Sequence, residues 1–329
     1  MRKLTQKLVL SVVTMALVVI ALGTSTFAWF TLQNAAEIDP FTANVTAGEG
    51  IEVSLGTWES GAATITGTTA PNWYTVVPTL AVTNMITSMY GSPLTLKDVT
   101  SANGKDFNYI NEFGNLVPAS ATSGRFIQIK LFFRSASEKT IKLSQVQIGG
   151  SSKEWTVDVP FFRAANNATY SETEELSSGN KMQVAAWTAA RVSFISETAN
   201  DDTLASAFTY QRKANYAEEE AYDSSIQYNS TAMPSDSYAT GAEFGASAYY
   251  KAKTGSTIIA TTANIQNATA LDNTGNLTAA QELVTLARVG STGYYYGNVL
   301  VRVWIEGWDA DLFDAIFTTT LSVSMKFTA

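Results

Sequence analysis

The sequence predicts an all-β protein, an antiparallel β-sandwich of jelly-roll or immunoglobulin-like type, with a short helix near the C-terminus and long polar insertions. Three observations lead to this fold class. Apolar and polar residues alternate in several short segments separated by glycine-rich or serine-rich turns. No helical pattern alternates with these segments, which argues against a parallel α/β sheet. Apolar residues make up 46% of the 329 residues, enough for a large core.

Residues 1–28 have the three parts of a secretory signal. A basic head is followed by an apolar run from Leu8 to Leu22 and by the small-x-small ending Thr26-Phe27-Ala28. The pattern predicts cleavage after Ala28 and an extracellular or cell-surface location for the remainder. The alternative is an uncleaved membrane anchor, because residues 8–30 are just long enough to span a bilayer. Both interpretations place the rest of the chain outside the cytoplasm.

Residues 29–46 would become a free N-terminal arm once the signal is removed. An extended arm can pair with its own sheet, which is one interpretation. It can also add to an open sheet edge of the next copy, and head-to-tail strand donation of this kind builds a filament. The candidate assembly residues are the apolar members of the arm: Trp29, Phe30, Leu32, Ile38, Phe41 and Val45.

Residues 47–329 predict a single large sandwich domain with a polar insertion at about 200–280. The clearest strands cover 51–55, 125–134, 299–306 and 321–327, where side chains of like character recur at every second position. Aromatic residues on both faces of 125–134 indicate a central strand. In the strand that follows it, a change of phase at Ser144-Gln145 indicates a β-bulge. The segment 80–90 is apolar without a clear period.

Residues 307–317 predict the short C-terminal helix, because Asp309 is a good N-cap and an apolar stripe follows it. This stretch and the residue before it also carry four carboxylates within nine residues. Calcium binds several carboxylate oxygens on a short loop, so the cluster is a candidate calcium site; the alternative is that the aspartates serve the helix N-terminus and solvent. No other cofactor is expected. The candidate ligands are Glu306, Asp309, Asp311 and Asp314.

The chain contains no histidine and no cysteine, which excludes several classes of enzyme. A Ser-His-Asp triad, a Cys-His pair, an ordinary zinc site and HExxH chemistry all need one of these residues. A paired-carboxylate glycosidase is the enzymatic option that remains, and we expect no enzyme. The net charge of −8 argues against nucleic acid and anionic membrane surfaces as partners. Membrane contact is expected only through residues 8–30, if they are not removed.

Aromatic residues near the C-terminus suggest a second function. Trp304 and Trp308 could form a sugar-stacking platform with Tyr294-Tyr295-Tyr296, although such residues are also common in sandwich cores. The alternative function is therefore a surface carbohydrate-binding or adhesin module, which calcium could assist. Cell-surface carbohydrate would then be its partner.

The junction at residues 23–31, Gly-Thr-Ser-Thr-Phe-Ala-Trp-Phe-Thr, resembles the TasA/camelysin group of exported bacterial proteins. In that group a glycine- and threonine-rich signal ending runs into an Ala-x-Phe start of the mature chain, which Ala28, Trp29 and Phe30 match in order. The resemblance implies a jelly-roll-like sandwich and, as in some members, assembly into extracellular-matrix fibres by N-terminal strand donation. Protease activity, associated with part of the group, is not expected in a chain without histidine.

These observations together predict an exported structural subunit of a cell-surface or extracellular-matrix filament, as in a biofilm. The partner of such a subunit is another copy of itself, bound through the N-terminal arm.

Overall fold

A computed structural model gives the fold of the chain. The predicted signal at 1–28 and the arm residues 29–35 and 39–41 lie outside the part it describes. The described residues are 36–38, 42–48, 50–56, 72–91, 94–97, 99–111, 116–164, 174–198, 201–212, 249, 251–253, 255, 268–288, 293–307, 316 and 319–329.

The described fold is mostly β-sheet, as the sequence predicts. The α-helix α1 (Thr79–Tyr90) and short 3₁₀ turns accompany the strands. In chain order the strands are β1 (Ala36–Ile38), β2 (Thr42–Ala47), β3 (Ile51–Gly56), β4 (Val76–Val77), β5 (Leu94–Leu96), β6 (Asn108–Ile110), β7 (Leu116–Pro118), β8 (Phe126–Ser135), β9 (Thr140–Gly149), β10 (Lys153–Thr156), β11 (Phe161–Ala164), β12 (Glu174–Leu176), β13 (Lys181–Val184), β14 (Ala190–Thr198), β15 (Asp201–Arg212), β16 (Thr269–Leu271), β17 (Asn276–Thr285), β18 (Ala287–Arg288), β19 (Tyr295–Ile305) and β20 (Ser322–Thr328).

The larger of two main sheets has seven strands. Its order is β16-β15-β14-β19-β8-β3, and the short β18 also pairs with β19. All of these pairs are antiparallel except the three-residue pairing of β15 with β16. β8 lies between β19 and β3, which confirms the prediction that 125–134 holds a central strand.

The smaller main sheet has five strands in the order β17-β9-β20-β2-β4. Its β2 and β20 run parallel, with Val45 opposite Met325, and its other pairs are antiparallel. The predicted bulge in β9 is confirmed: Lys326 pairs with Gln145 and Phe327 with Leu143, so Ser144 is the extra residue. Because of this extra residue, the apolar side chains on both sides of the bulge face the core.

The two sheets pack face to face around one hydrophobic core. In this core Phe327 of the small sheet meets two phenylalanines of the large sheet, at centroid distances of 4.9 Å from Phe133 and 6.2 Å from Phe194. The apolar side chains that alternate along β8, β19, β9 and β20 are all buried in this core. The sequence pattern therefore identified the inward faces of the four strands correctly.

Helix α1 was not predicted, because the apolar residues of 80–90 do not form a narrow stripe. Val82 and Ile86, one turn apart, are its buried positions, while Leu80 is 69% exposed. Gly91 ends the helix with a φ of 87°, and its N–H donates to the carbonyl of Thr87. The helix predicted at 307–317 falls largely on residues outside the described part of the chain.

The predicted polar insertion at about 200–280 needs correction at both ends. Residues 201–212 form β15, a 12-residue strand of the large sheet, and β16 and the start of β17 lie within the same interval. Tyr210 points into the core, whereas its neighbours Thr209 and Gln211 face the other side and are also buried. Polar composition was misleading here because the outer face of this sheet is covered. Residues 213–248 lie outside the described part.

Four two-stranded sheets complete the described fold. They pair β1 with β5, β6 with β7, β10 with β13 and β11 with β12, all antiparallel. The turn from β16 to β17 joins the two main sheets and requires glycine at position 275. Gly275 has a φ of 67°, and a Cβ there would lie 2.0 Å from the carbonyl oxygen of Val146.

Candidate functional site

The N-terminal strand β2 lies in a slot beside β20. All six of its residues pair in parallel with β20, from Thr42 opposite Ser322 to Ala47 opposite Phe327. Val45 and Ala47 point into the core and are 1% and 4% exposed. The slot therefore contributes apolar contacts that the sandwich would lose if it were empty.

The other side of β2 is covered only briefly within the described residues. The two-residue β4 pairs with Val45 and Thr46, and the N–H of Ala47 donates to the carbonyl of Thr75 at 2.8 Å. Helix α1, which follows β4, packs on β2, and β1 pairs with β5 just after this helix. Within the described residues, 36–38 and 42–47 are thus held mainly by the β20 ladder and by short elements of residues 75–96.

A short link takes the chain from β2 in the small sheet to β3 in the large sheet. The N–H of Gly48 donates to the carbonyl of Phe327 at 3.2 Å, and the N–H of Ile51 donates back to the carbonyl of Gly48. Gly50 has a φ of 72°, a conformation that favours glycine. Only residues 48–50 separate the end of β2 in the small sheet from the start of β3 in the large sheet.

Two of the six candidate assembly residues lie in the described strands. Val45 is buried against the chain's own sheet, and Ile38 belongs to β1, opposite Leu94 of β5. Residues 42–47 thus adopt the own-sheet pairing that the sequence left as one of two options. The other four, Trp29, Phe30, Leu32 and Phe41, lie outside the described residues.

The carboxylate cluster proposed for calcium has one member in the described part, Glu306. It is fully buried, and its Oε2 accepts a hydrogen bond from Trp304 Nε1 at 2.9 Å and lies 3.6 Å from Arg191 Nη1. Asp309, Asp311 and Asp314 fall outside the described residues, within which no group of three metal-ligating side chains occurs. The calcium site remains a prediction.

The sequence did not reveal that the outer face of the large sheet is a buried polar layer. Arg302 on β19 donates from Nε to Gln128 Oε1 at 2.8 Å and from Nη1 to the carbonyl of Lys105. Its guanidinium also lies 5.4 Å from the ring centroids of Phe107 and Phe126. Gln128 and Arg302 are 1% and 7% exposed. The sequence did contain a signal of this covered face: the outward positions of 298–306 include the large apolar residues Leu300 and Trp304 as well as polar residues.

Residues 99–108 cover this layer. Thr100 bridges to Asn108 by two main-chain hydrogen bonds, which closes the segment into a loop. The hydroxyl of Ser193 on β14 donates to the carbonyl of Gly104 at 2.8 Å. Gly104 lies so close to the sheet that a Cβ there would be 2.5 Å from Thr209 Oγ1. We call residues 99–108 the covering loop.

Helix α1 reaches the same face through its last residue. The Tyr90 hydroxyl accepts the N–H of Gln128 at 2.8 Å, at a point of β8 beyond the end of its pairing with β3. Burial raises the pKa of Tyr90, and its bond to Gln128 and the charge of Arg302 oppose that rise. Tyr90 thus satisfies main-chain groups that β3 does not reach.

An aromatic cluster and an ion pair hold the region of β10 and β11. Tyr249 packs edge-on against Trp155 and Phe161, with centroids 5.2 and 5.4 Å apart. Nearby, Lys253 donates to Asp158. Burial acts to raise the pKa of Asp158, but the bond to Lys253 and its charge lower it overall; the same bond raises the pKa of Lys253. Tyr249 and Lys253 thus pack against the segment that contains β10 and β11.

The expected aromatic platform is not a single surface. Trp304 is fully buried under the covering loop, with its ring 5.0 Å from that of Phe107. Tyr294 and Tyr296 lie near the opposite end of β19, about 25–35 Å away at the usual rise per residue. They group instead with Trp73 and Arg134. Trp308 lies outside the described residues.

The chain matches no protein-family model, no curated protein and no solved structure in three separate comparisons. The resemblance to the TasA/camelysin group therefore still rests on residues 23–31 alone. Among the described residues, no helix has the length and apolar character needed to cross a membrane.

Proposed function

We propose that the protein is an exported structural subunit of a cell-surface or extracellular-matrix filament, and that copies assemble by donating their N-terminal strand. Its sandwich would then be of the jelly-roll or immunoglobulin-like type. The observation that carries the proposal is the position of β2. This strand comes first in its sheet along the chain, and its longest ladder joins it to β20, near the other end of the described fold.

Exchange of β2 between copies would preserve the contacts that hold it. A strand from a neighbouring copy could pair with β20 in the same register and bury Val45 and Ala47 in the same positions. The free-energy difference between own-sheet and donated pairing would then come mainly from the link and from protein concentration. A short link favours exchange, because it strains the own-sheet arrangement more than the extended one.

The direction of donation would produce a filament. The donor strand and the slot beside β20 are different surfaces of one copy, so the contact is heterologous. A heterologous contact that does not close on itself propagates from copy to copy. The predicted signal would control this process, because cleavage after Ala28 would release the arm.

A disulfide test distinguishes the two pairings, since the chain has no cysteine of its own. Thr46→Cys and Lys326→Cys place two cysteines opposite each other on the outward face of β2 and β20. Neighbouring strands bring such residues within disulfide range. In assembled protein starting at Trp29, we expect oxidation to give a ladder of covalent oligomers on a denaturing gel.

The matched control is the pair Gln147→Cys and Ser324→Cys, which lie opposite each other on β9 and β20. This pair belongs to one copy in either arrangement and should give covalent monomer. If the first pair also gives monomer alone in assembled protein, strand donation is excluded. If electron microscopy and light scattering show stable monomers at every concentration, the filament proposal fails as a whole.

A further inference from the structure

Arg134 lies between two aromatic rings at the end of the large sheet that is farther from the covering loop. Its guanidinium carbon is 4.5 Å from the ring centroid of Trp73 and 4.8 Å from that of Tyr294. Stacking on aromatic rings is favourable for a guanidinium group and fixes its plane. We call Trp73, Arg134 and Tyr294 the arginine stack.

A carboxylate fixes the orientation of the guanidinium in that plane. Arg134 Nε donates to Glu52 Oε2 at 2.6 Å, and these two residues are opposite each other on β8 and β3. The bond uses one edge of the guanidinium fork. Within the described residues the two terminal nitrogens of Arg134 have no hydrogen-bond acceptor, and the side chain is 21% exposed.

Arg134, the central residue of the arginine stack, lies on a strand that is paired on both sides. Glu52, Arg134 and Tyr296 form one row across β3, β8 and β19. Tyr296 supports both rings of the stack, with its centroid 6.0 Å from Trp73 and 6.4 Å from Tyr294. Tyr294 is 37% exposed. A surface group held by three paired strands needs little ordering when a ligand binds.

The arginine at the covered end of the sheet provides a contrast. Arg302 also meets two aromatic rings, but its guanidinium donates to Gln128 and Lys105 beneath the covering loop. Arg302 therefore serves the interior of the protein. Arg134 presents the corresponding donors at the surface.

We propose that the arginine stack binds a carboxylate-bearing sugar, such as a uronic acid unit of a surface polysaccharide. A planar fork with two terminal N–H groups suits a carboxylate in a bidentate arrangement. The exposed tyrosine ring offers a flat apolar surface to the C–H face of the sugar ring. Glu52 would repel a dianionic phosphate group more strongly than a monoanionic carboxylate, which selects the uronic acid. This site is independent of the N-terminal strand.

Titration calorimetry with oligogalacturonate tests the proposal, and the neutral galactose oligomer of equal length is the control ligand. The protein is expressed as the full 329-residue chain and purified from the secreting cells. We expect binding of the acidic oligomer only. Arg134→Gln should weaken it about 10-fold to 100-fold, the usual effect of losing a hydrogen bond to a charged group. Arg134→Lys should also weaken it, because lysine keeps the charge but loses the planar fork.

Two further variants keep the result interpretable. Tyr294→Ala removes one ring outside the strands and should lower the affinity several-fold while thermal unfolding stays unchanged. Arg125→Gln is the matched control. Arg125 also stacks on an aromatic ring, 3.5 Å from the centroid of Tyr109, but it lies away from this end of the sheet. The Arg125→Gln variant should bind the acidic oligomer as the parent protein does. The proposal is overturned by equal binding of both oligomers, by no binding of the acidic oligomer, or by full affinity in a folded Arg134→Gln variant.

Discussion

The outer faces of the two main sheets differ although their sequences look alike. Both sheets have strands in which polar residues alternate with apolar core residues. On the small sheet the outward residues of β20 are exposed or half-buried, as in Ser322, Ser324 and Lys326. On the large sheet the outward residues Gln128, Arg191 and Arg302 are buried. Alternation of apolar and polar residues therefore shows which side chains face the core, but not whether the opposite face of the sheet is exposed to solvent.

The difference in burial changes how much stability the protein loses when one partner of an ion pair is removed. Arg191 and Glu306 on the large sheet form a pair with side-chain exposures of 2% and 0%. Lys142 and Glu282 on the small sheet form a pair with exposures of 35% and 67%, at 3.2 Å. A buried charge that loses its partner carries a large desolvation penalty, whereas water solvates an exposed one. The two pairs allow the comparison to be tested directly.

The largest effect is expected for Arg191→Met. It removes the cation that lies 3.6 Å from the buried carboxylate of Glu306 and should reduce the free energy of unfolding by about 3–5 kcal/mol. Chemical denaturation monitored by tryptophan fluorescence measures this change. The double variant Arg191→Met/Glu306→Leu should recover much of the loss, since neither member of this pair is then charged. A change below about 1 kcal/mol in the free energy of unfolding of the single variant would show that water solvates Glu306 on this face.

The next effect concerns the covering loop itself. Phe107 packs on Phe126 at a centroid distance of 4.1 Å and on Trp304 at 5.0 Å. Phe107→Ala should cost about 3 kcal/mol through lost burial and the cavity that remains. It should also let water reach Trp304, which hydrogen exchange of the covering loop would detect. Unchanged exchange in the loop would mean that Phe107 does not hold it in place.

A pH effect is expected from the inward face of β15. Burial raises the pKa of Tyr210 to about 12, while the unfolded value is 10.0. The folded form therefore keeps its proton longer, so stability is intact below pH 10 and falls as the pH rises from 10 towards 12. Spectrophotometric titration should show a late-ionising phenol that Tyr210→Phe lacks. Complete titration of all tyrosines by pH 11 in folded protein would contradict this assignment.

The smallest effect is expected on the small sheet. Lys142→Met removes the cation of the exposed pair and should change the free energy of unfolding by no more than about 0.5 kcal/mol. The same denaturation experiment measures it, which makes it the matched control for Arg191→Met. A loss approaching that of Arg191→Met would remove the distinction between the two outer faces.

The sequence was informative where local alternation decides the structure. It predicted the four main strands of the core, the central position of β8 and the bulge at Ser144, because each depends on which neighbouring residues face inward. It missed α1, whose helical character depends on packing against β2. It also missed β15, in which the polar residue Thr209 is buried against Gly104 of a loop about a hundred residues earlier in the chain.

The candidate sites depended more strongly on distant parts of the chain. The slot of β2 was not predictable, because its partner β20 is about 280 residues away and parallel pairing leaves no local pattern. Glu306 was noticed for its neighbours in sequence, but its contact in the fold is Arg191. Tyr294 was grouped in the sequence with Trp304, but in the fold it lies with Arg134 and Trp73.

The positions of β19 and β20 have a consequence for the order of events during synthesis. Each is an interior strand of its sheet, β19 between β14 and β8 and β20 between β9 and β2. The large sheet cannot be completed until the ribosome has made β19, and the small sheet cannot be completed until it has made β20, so earlier segments have no complete template on which to fold. For a chain that we propose to be exported, this delay would keep the nascent polypeptide extended and able to thread through a translocation pore before the sandwich closes.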